Sequence, residues 1–130
     1  MYKGSFKALS PHLQIYKFPV AVWMSILHRL TGLFLFLSIL VLVWVLYALN
    51  YFNKDSFLYC FADCFYSGCL YDISLLLVFS SLMFHFFCGM RYIVWGFGKL
   101  VDIKGIAIMN WAVIFATIIS ISVYICYLYI

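Results

Sequence analysis

The sequence predicts an all-α membrane protein with three transmembrane helices, and three observations carry that prediction. Of 130 residues, 68% are hydrophobic and only 9% are charged, more apolar side chain than a soluble domain of this length encloses. Three apolar stretches, about 20–49, 73–95 and 106–130, each exceed the roughly 20 residues that cross a hydrocarbon core about 30 Å thick. The alternation of a barrel strand is missing, so helices, which satisfy their own backbone groups, are the structure that lipid allows.

The elements follow in chain order. Residues 1–19 are a lead-in, in which Ser10-Pro11 opens a short interfacial turn carrying Leu13, Ile15 and Tyr16. Pro19 stands where proline favours the first helical turn, and the first helix runs from there over about 20–49. Residues 50–72, aromatic and Cys-rich with scattered Asp, read as an ordered outer loop with room for a short helix. The second helix covers about 73–95 until Gly96-Phe97-Gly98-Lys99 breaks it. An inner loop over 96–105 leads to the third helix at about 106–130, with Asn110 early in it. No repeat or low-complexity linker interrupts the chain, so 1–130 reads as a single membrane domain.

Charge sets the orientation. Lys3, Lys7, Lys17 and Arg29 precede or open the first helix, and Arg91, Lys99 and Lys104 flank the loop between the second and third. The outer loop has only Lys54, together with Asp55, Asp63 and Asp72. The amino terminus is therefore expected on the cytoplasmic or matrix side. The net charge of +4 forms no run or stripe, which argues against a nucleic-acid partner. No cleavable presequence is expected, because the first apolar run is too long for a signal peptide and residues 1–19 lack transit-peptide character. That points to a bacterial protein or one made inside an organelle. Cys60, Cys64, Cys69, Cys88 and Cys126 fit neither a redox pair nor a haem-attachment spacing, and are expected as packed thiols, a disulfide among the first three being the alternative.

Polar residues in the spans carry the functional signal. Ser25, His28, Arg29 and Gly32 fall at i, i+3, i+4 and i+7, one face of the first helix. A membrane-embedded Arg costs about 2.5–3.5 kcal/mol at the bilayer centre, so it faces protein, water or ligand, or snorkels to the headgroups. With no carboxylate inside the three expected spans, the acceptor for a desolvated Arg29 comes from a ligand, a partner or water. Ser25 either donates to a ligand oxygen or bonds back to its own helix. In the second helix Ser81, His85 and Gly89 repeat on one face at a depth compatible with the first, with Cys88 and Tyr92 beside them. His85 suits axial ligation of haem iron, Gly89 making room for the porphyrin, or a hydrogen bond to a neighbouring helix. Arg91 reads first as an interface anchor, as do Trp23 and Trp95.

Three blocks resemble the cytochrome b membrane-anchor subunit of succinate dehydrogenase, respiratory complex II: Ser10-Pro11-His12-Leu13-Gln14-Ile15-Tyr16, the Ser25–Gly32 segment SILHRLTG, and His85-Phe86-Phe87-Cys88-Gly89-Met90-Arg91. The resemblance covers essentially the whole chain. It implies that His85 is one axial ligand of haem b, the other coming from a smaller anchor subunit. It also implies that Ser25 and Arg29 help form a ubiquinone pocket, and that His28 and Arg91 lie near the haem propionates. Iron–sulfur and flavoprotein subunits are the implied soluble partners, and the three helices are then part of a heteromeric bundle. The implied location is the mitochondrial inner membrane, organelle-encoded with the amino terminus in the matrix, or the bacterial inner membrane. The chain departs from the family pattern where Tyr92 replaces a His, Gly96 replaces an Asp and Lys7-Ala8-Leu9 replaces Arg-Pro-Leu. Rival readings are the anchor of a quinol:fumarate reductase, which runs the reaction in reverse, and a non-catalytic assembly anchor whose haem site has decayed. A transporter is third, for want of intramembrane carboxylates and repeats.

Overall fold

The computed structural model describes residues 19–66 and 69–130, together with the backbone of the helices that contain them. Among the described residues four helices form in chain order: α1 (Val20–Tyr51), α2 (Phe57–Tyr66), α3 (Cys69–Gly96) and α4 (Ile103–Tyr129). Among the described residues there is no strand. The interfacial turn expected at Ser10-Pro11 lies outside the described residues.

Three of these helices are long and apolar enough to cross a membrane, with mean hydropathies of 2.6, 2.0 and 2.2 for α1, α3 and α4. At 1.5 Å per residue α1 is about 48 Å long, more than a hydrocarbon core requires, so it tilts or projects beyond it. Most large apolar side chains point outward from the bundle. In water that would be untenable, but in lipid it costs nothing and leaves surface for partner helices.

The ends of the helices have local causes. Pro19, extended at φ −64° and ψ 152°, precedes α1, and its carbonyl accepts from the Val22 N–H at 3.0 Å. After Phe52 the chain turns through Asn53, Lys54 and Asp55, and the Ser56 carbonyl accepts from the Cys60 N–H at 3.1 Å to open α2. The segment expected as an outer loop thus contains α2, the short helix it had room for, and α3 begins earlier than the apolar pattern suggests. Asp72 consequently sits in the first turn of α3, where a carboxylate complements the helix dipole. This corrects the expectation that the spanning helices hold no carboxylate, although Asp72 is at the end remote from the polar face of α1. Gly98 at φ +69° supplies the left-handed residue that ends the α3 turn, its N–H donating to the Trp95 carbonyl at 2.9 Å. The third spanning helix starts at Ile103 after the Asp102 N-cap.

The bundle is antiparallel in sequence order. His28 of α1 lies beside His85 of α3, and Phe79 of α3 stacks on Tyr124 of α4 at 4.3 Å. One core joins all three spanning helices near the start of α1, built from Met24, Cys88 and Val113 with Phe84, Phe87 and Ile114 around it. A second, at the other end of α1, buries Val45, Ala48 and Ala62 between α1 and α2. Between them α1 and α3 diverge around an apolar groove of about 830 Å³, lined among others by Phe34, Leu42, Tyr71 and Val78. Close packing of α1 on α3 is therefore concentrated where the polar residues lie.

Candidate functional site

The site is built on the first four turns of α1 and the last four of α3. His28 and His85 face each other across the helix pair with ring centroids 4.1 Å apart and planes 18° from parallel. Such closeness requires a small residue opposite the imidazole, and Gly32 provides it: a Cβ there would stand 2.9 Å from His85 Cε1. The prediction follows that Gly32→Ala displaces the His85 ring, at about 1–3 kcal/mol of overpacking. A lowered thermal midpoint of the purified protein checks it.

His85 is fixed through one nitrogen. Nδ1 lies 3.1 Å from the His28 carbonyl oxygen and 3.4 Å from Thr31 Oγ1. A carbonyl only accepts, so Nδ1 carries the proton and, in the neutral ring, Nε2 carries the lone pair. That is the tautomer a metal-bound imidazole needs. Both options read from the sequence for His85 are thus compatible in one residue: it donates to the neighbouring helix and keeps a ligating nitrogen.

Ser25 is half-buried and makes no hydrogen bond to any described residue. Ser38, Ser80, Ser120 and Ser122 each donate to a carbonyl four residues earlier in their own helix. Back-bonding, the ordinary fate of a serine in a spanning helix, is therefore not adopted by Ser25. Arg29, one turn on, is exposed and unpaired among the described residues.

Arg91 departs from the expectation of an interface anchor. It is 1% exposed, held in the seam between α3 and α4, and its Nη1 donates to Asn110 Oδ1. Its guanidinium lies 4.9 Å from the Tyr92 ring centroid and 4.6 Å from that of Trp95, two cation–π contacts with rings set edge to face, which offset part of the desolvation. The Trp95 indole is likewise turned inward, its Nε1 buried. Tyr92 connects this cluster to the histidines, its ring 5.4 Å from that of His28. Beside the seam a cavity of about 180 Å³ is lined by Arg91, Met90, Ala112 and Ala116 among others.

Asn110, 2% exposed, is the residue that sequence reasoning left without a role. The signal was available: a side-chain amide in an apolar helix needs a partner, and Arg91 was the cation at matching depth. Asn110→Leu should leave the guanidinium without its acceptor and destabilise the bundle by about 1.5–3 kcal/mol, whereas Asn110→Asp should retain the contact. Thermal unfolding of the two variants side by side checks this.

His28 Nε2, Arg91 Nε and Trp95 Nε1 are buried with no hydrogen-bond partner. Unsatisfied groups of this kind are costly in an apolar medium. Arg91 Nε and Trp95 Nε1 are donors, and so is His28 Nε2 when it carries the ring proton, so each calls for an acceptor that the described residues do not supply.

Comparison with known proteins bears on which acceptors these are. A family model described as succinate dehydrogenase/fumarate reductase transmembrane subunit matches residues 5–124. The chain belongs to this family. Similar members include the succinate dehydrogenase cytochrome b556 subunit of Rickettsia felis, 36% identical over 110 residues that cover 85% of this chain and 83% of that one. The cytochrome b560 subunits of Reclinomonas americana and Chondrus crispus are 31% and 30% identical, covering 77% and 79% of this chain and 71% and 81% of their own lengths. Within the family framework, the structure brings His28, His85 and Tyr92 together and leaves Ser25 and Arg29 on the adjoining surface of α1. Arg91 adjoins them through Tyr92, its guanidinium 4.9 Å from that ring, and pairs with Asn110 of α4.

Proposed function

We propose that this chain is the cytochrome b anchor subunit of a succinate:ubiquinone oxidoreductase. In this reading it binds haem b and ubiquinone and passes electrons from an iron–sulfur subunit to the quinone. The observation that carries the reading is His85: its Nδ1 is tied to the His28 carbonyl at 3.1 Å, which reserves Nε2 for iron. Succinate oxidation is assigned to the soluble flavoprotein subunit, and a smaller anchor subunit completes the bundle.

The side chains present fit a haem. His85 would hold the iron, and the orphaned His28 Nε2 and Arg91 Nε would meet propionate oxygens, the acceptors this part of the chain lacks. Haem b, when bound, supplies a one-electron redox centre beside the quinone pocket.

Ser25 and Arg29 are the quinone-facing pair. The unengaged Ser25 hydroxyl is available to donate to a quinone carbonyl oxygen. Arg29 places a permanent positive charge where that oxygen becomes negative during reduction, stabilisation that is strongest where water is excluded. Reduction to ubiquinol takes two electrons and two protons, and the protons come from the aqueous phase on the amino-terminal side through water or partner residues. We place that side in the matrix, for an organelle-encoded protein of the mitochondrial inner membrane, or in the cytoplasm for a bacterial one.

The family description names fumarate reductase as well, and the anchor of a quinol:fumarate reductase is the second reading. Potentials of the bound centres separate the two. The assignment itself is tested by isolating the tagged chain from mild detergent. Flavoprotein and iron–sulfur subunits should accompany it with a reduced-minus-oxidised b-type spectrum. A chain recovered without dehydrogenase subunits would overturn the anchor assignment, and an intact complex without haem would favour a decayed site.

A further inference from the structure

Thr31 stands apart from the other hydroxyl residues of the spanning helices. Its Oγ1 donates to the His28 carbonyl three residues earlier, at 3.0 Å. The same oxygen atom lies 3.4 Å from His85 Nδ1, and Nδ1 is 3.1 Å from the same carbonyl. Thr117 offers the contrast: it donates to the Val113 carbonyl at 2.8 Å, inside its own helix. Thr31 bonds within α1 and also reaches α3.

The consequence follows from donor and acceptor counting. With its proton given to the carbonyl, Thr31 Oγ1 presents only lone pairs towards His85. Two oxygens then converge on one nitrogen, and only an Nδ1–H satisfies both. The opposite tautomer would set three lone-pair-bearing atoms against one another. A flip of the ring about Cβ–Cγ would bring a carbon to the same place and lose both contacts. Threonine suits the task because its branched Cβ restricts χ1 and holds Oγ1 back against the preceding turn. Gly32, the next residue, bounds the ring on its Cε1 edge. Thr31, the His28 carbonyl and Gly32 thus form one backbone-anchored cradle.

We propose that Thr31 is a positioning residue for the haem ligand: its hydroxyl, together with the His28 carbonyl, locks the tautomer and ring plane of His85 so that Nε2 faces iron. This rests on the reading of His85 as the axial ligand. Outer contacts that orient a metal-bound histidine are typically worth 10- to 100-fold in metal affinity.

The test uses the assembled complex carrying Thr31→Val, Thr31→Ser or His85→Ala, with haem loss to an apoprotein acceptor and the ferric electron paramagnetic resonance spectrum as readouts. Thr31→Val keeps the shape and removes the hydroxyl; haem loss should be about tenfold faster, and the low-spin signal should shift or broaden as the imidazole plane becomes variable. Thr31→Ser should match the wild type in both, a rescue that a purely space-filling role does not require. If Thr31→Val does not assemble, Thr31→Ala removes the same hydroxyl without the bulk and is read in the same way. Wild-type haem loss and line shape in the hydroxyl-free variant, with His85→Ala lacking haem, would overturn the role of Thr31 alone. Haem retained unchanged in His85→Ala would instead overturn the ligand reading, and the proposal with it.

Discussion

Replacing His85 with Ala is expected to abolish the b-type spectrum of the complex while the dehydrogenase subunits remain attached. The loss should be close to complete, because among the described residues no other histidine is placed to substitute. His28 is its neighbour at 4.1 Å between ring centroids, but its ring is stacked on His85 and its Nε2 is buried. His85 also packs against Gly32 and makes an interhelical hydrogen bond, so the substitution carries a structural cost as well. His85 is half-buried, so this cost falls below the few kcal/mol of a fully buried cavity of that size. His85→Gln controls for that cost, since its side-chain amide can still donate to the His28 carbonyl while offering iron a poor ligand. The expected pattern is haem loss in both variants with better assembly in Gln. It is checked by subunit stoichiometry on a denaturing gel beside the pyridine haemochrome content.

Arg29→Ala is expected to give the largest loss of catalysis for the least structural damage. The side chain is exposed and unpaired among the described residues, so its removal breaks no hydrogen bond or ion pair among them. If Arg29 stabilises the negative charge that develops on the quinone oxygen, quinone reduction should fall by about 10²–10³, the range for removing one preorganised electrostatic group. Succinate oxidation with an artificial soluble acceptor should persist. Arg29→Lys should recover part of the activity, because it keeps the charge but not the planar fork of donors. Ser25→Ala should produce a smaller defect in the same direction. Equal loss of both activities in Arg29→Ala would place its effect on assembly. Steady-state assays with the two acceptors on one preparation distinguish these outcomes.

The legibility of the sequence divides along a physical line. Helix number and the broad location of each span follow from apolar length, because lipid leaves a chain few ways to satisfy its backbone. The start of the second spanning helix was harder to place: Asp72 and Tyr71 look like loop residues by hydropathy, yet a carboxylate is favourable in the first turn of a helix. Ser25, His28, Arg29 and Gly32 were placed on one face by spacing alone. Their division was not legible, since periodicity does not say which neighbour a face meets. Gly32 turns out to receive the His85 ring, whereas Gly89, the glycine one turn beyond His85, has open space where a Cβ would stand. Arg91 and Asn110 show the same limit. Each is visible as a polar residue towards the end of a helix, but their contact depends on the rotation of α3 against α4, which is set by the packing of Met24, Cys88 and Val113. Thr31 was hidden for a different reason: a threonine in a helix is satisfied by its own backbone, and nothing in the sequence marks one that also reaches across.

The central claim is that His85 Nε2 is an iron ligand held ready by α1. The most direct measurement is chemical rescue in the assembled complex carrying His85→Gly, recording the reduced-minus-oxidised haem spectrum before and after adding imidazole. Removal of the side chain opens a space beside Gly32 shaped for an imidazole ring. The expected result is little or no low-spin b-type signal without imidazole and a concentration-dependent return of that signal when it is added. A full wild-type spectrum in His85→Gly without imidazole would contradict the claim.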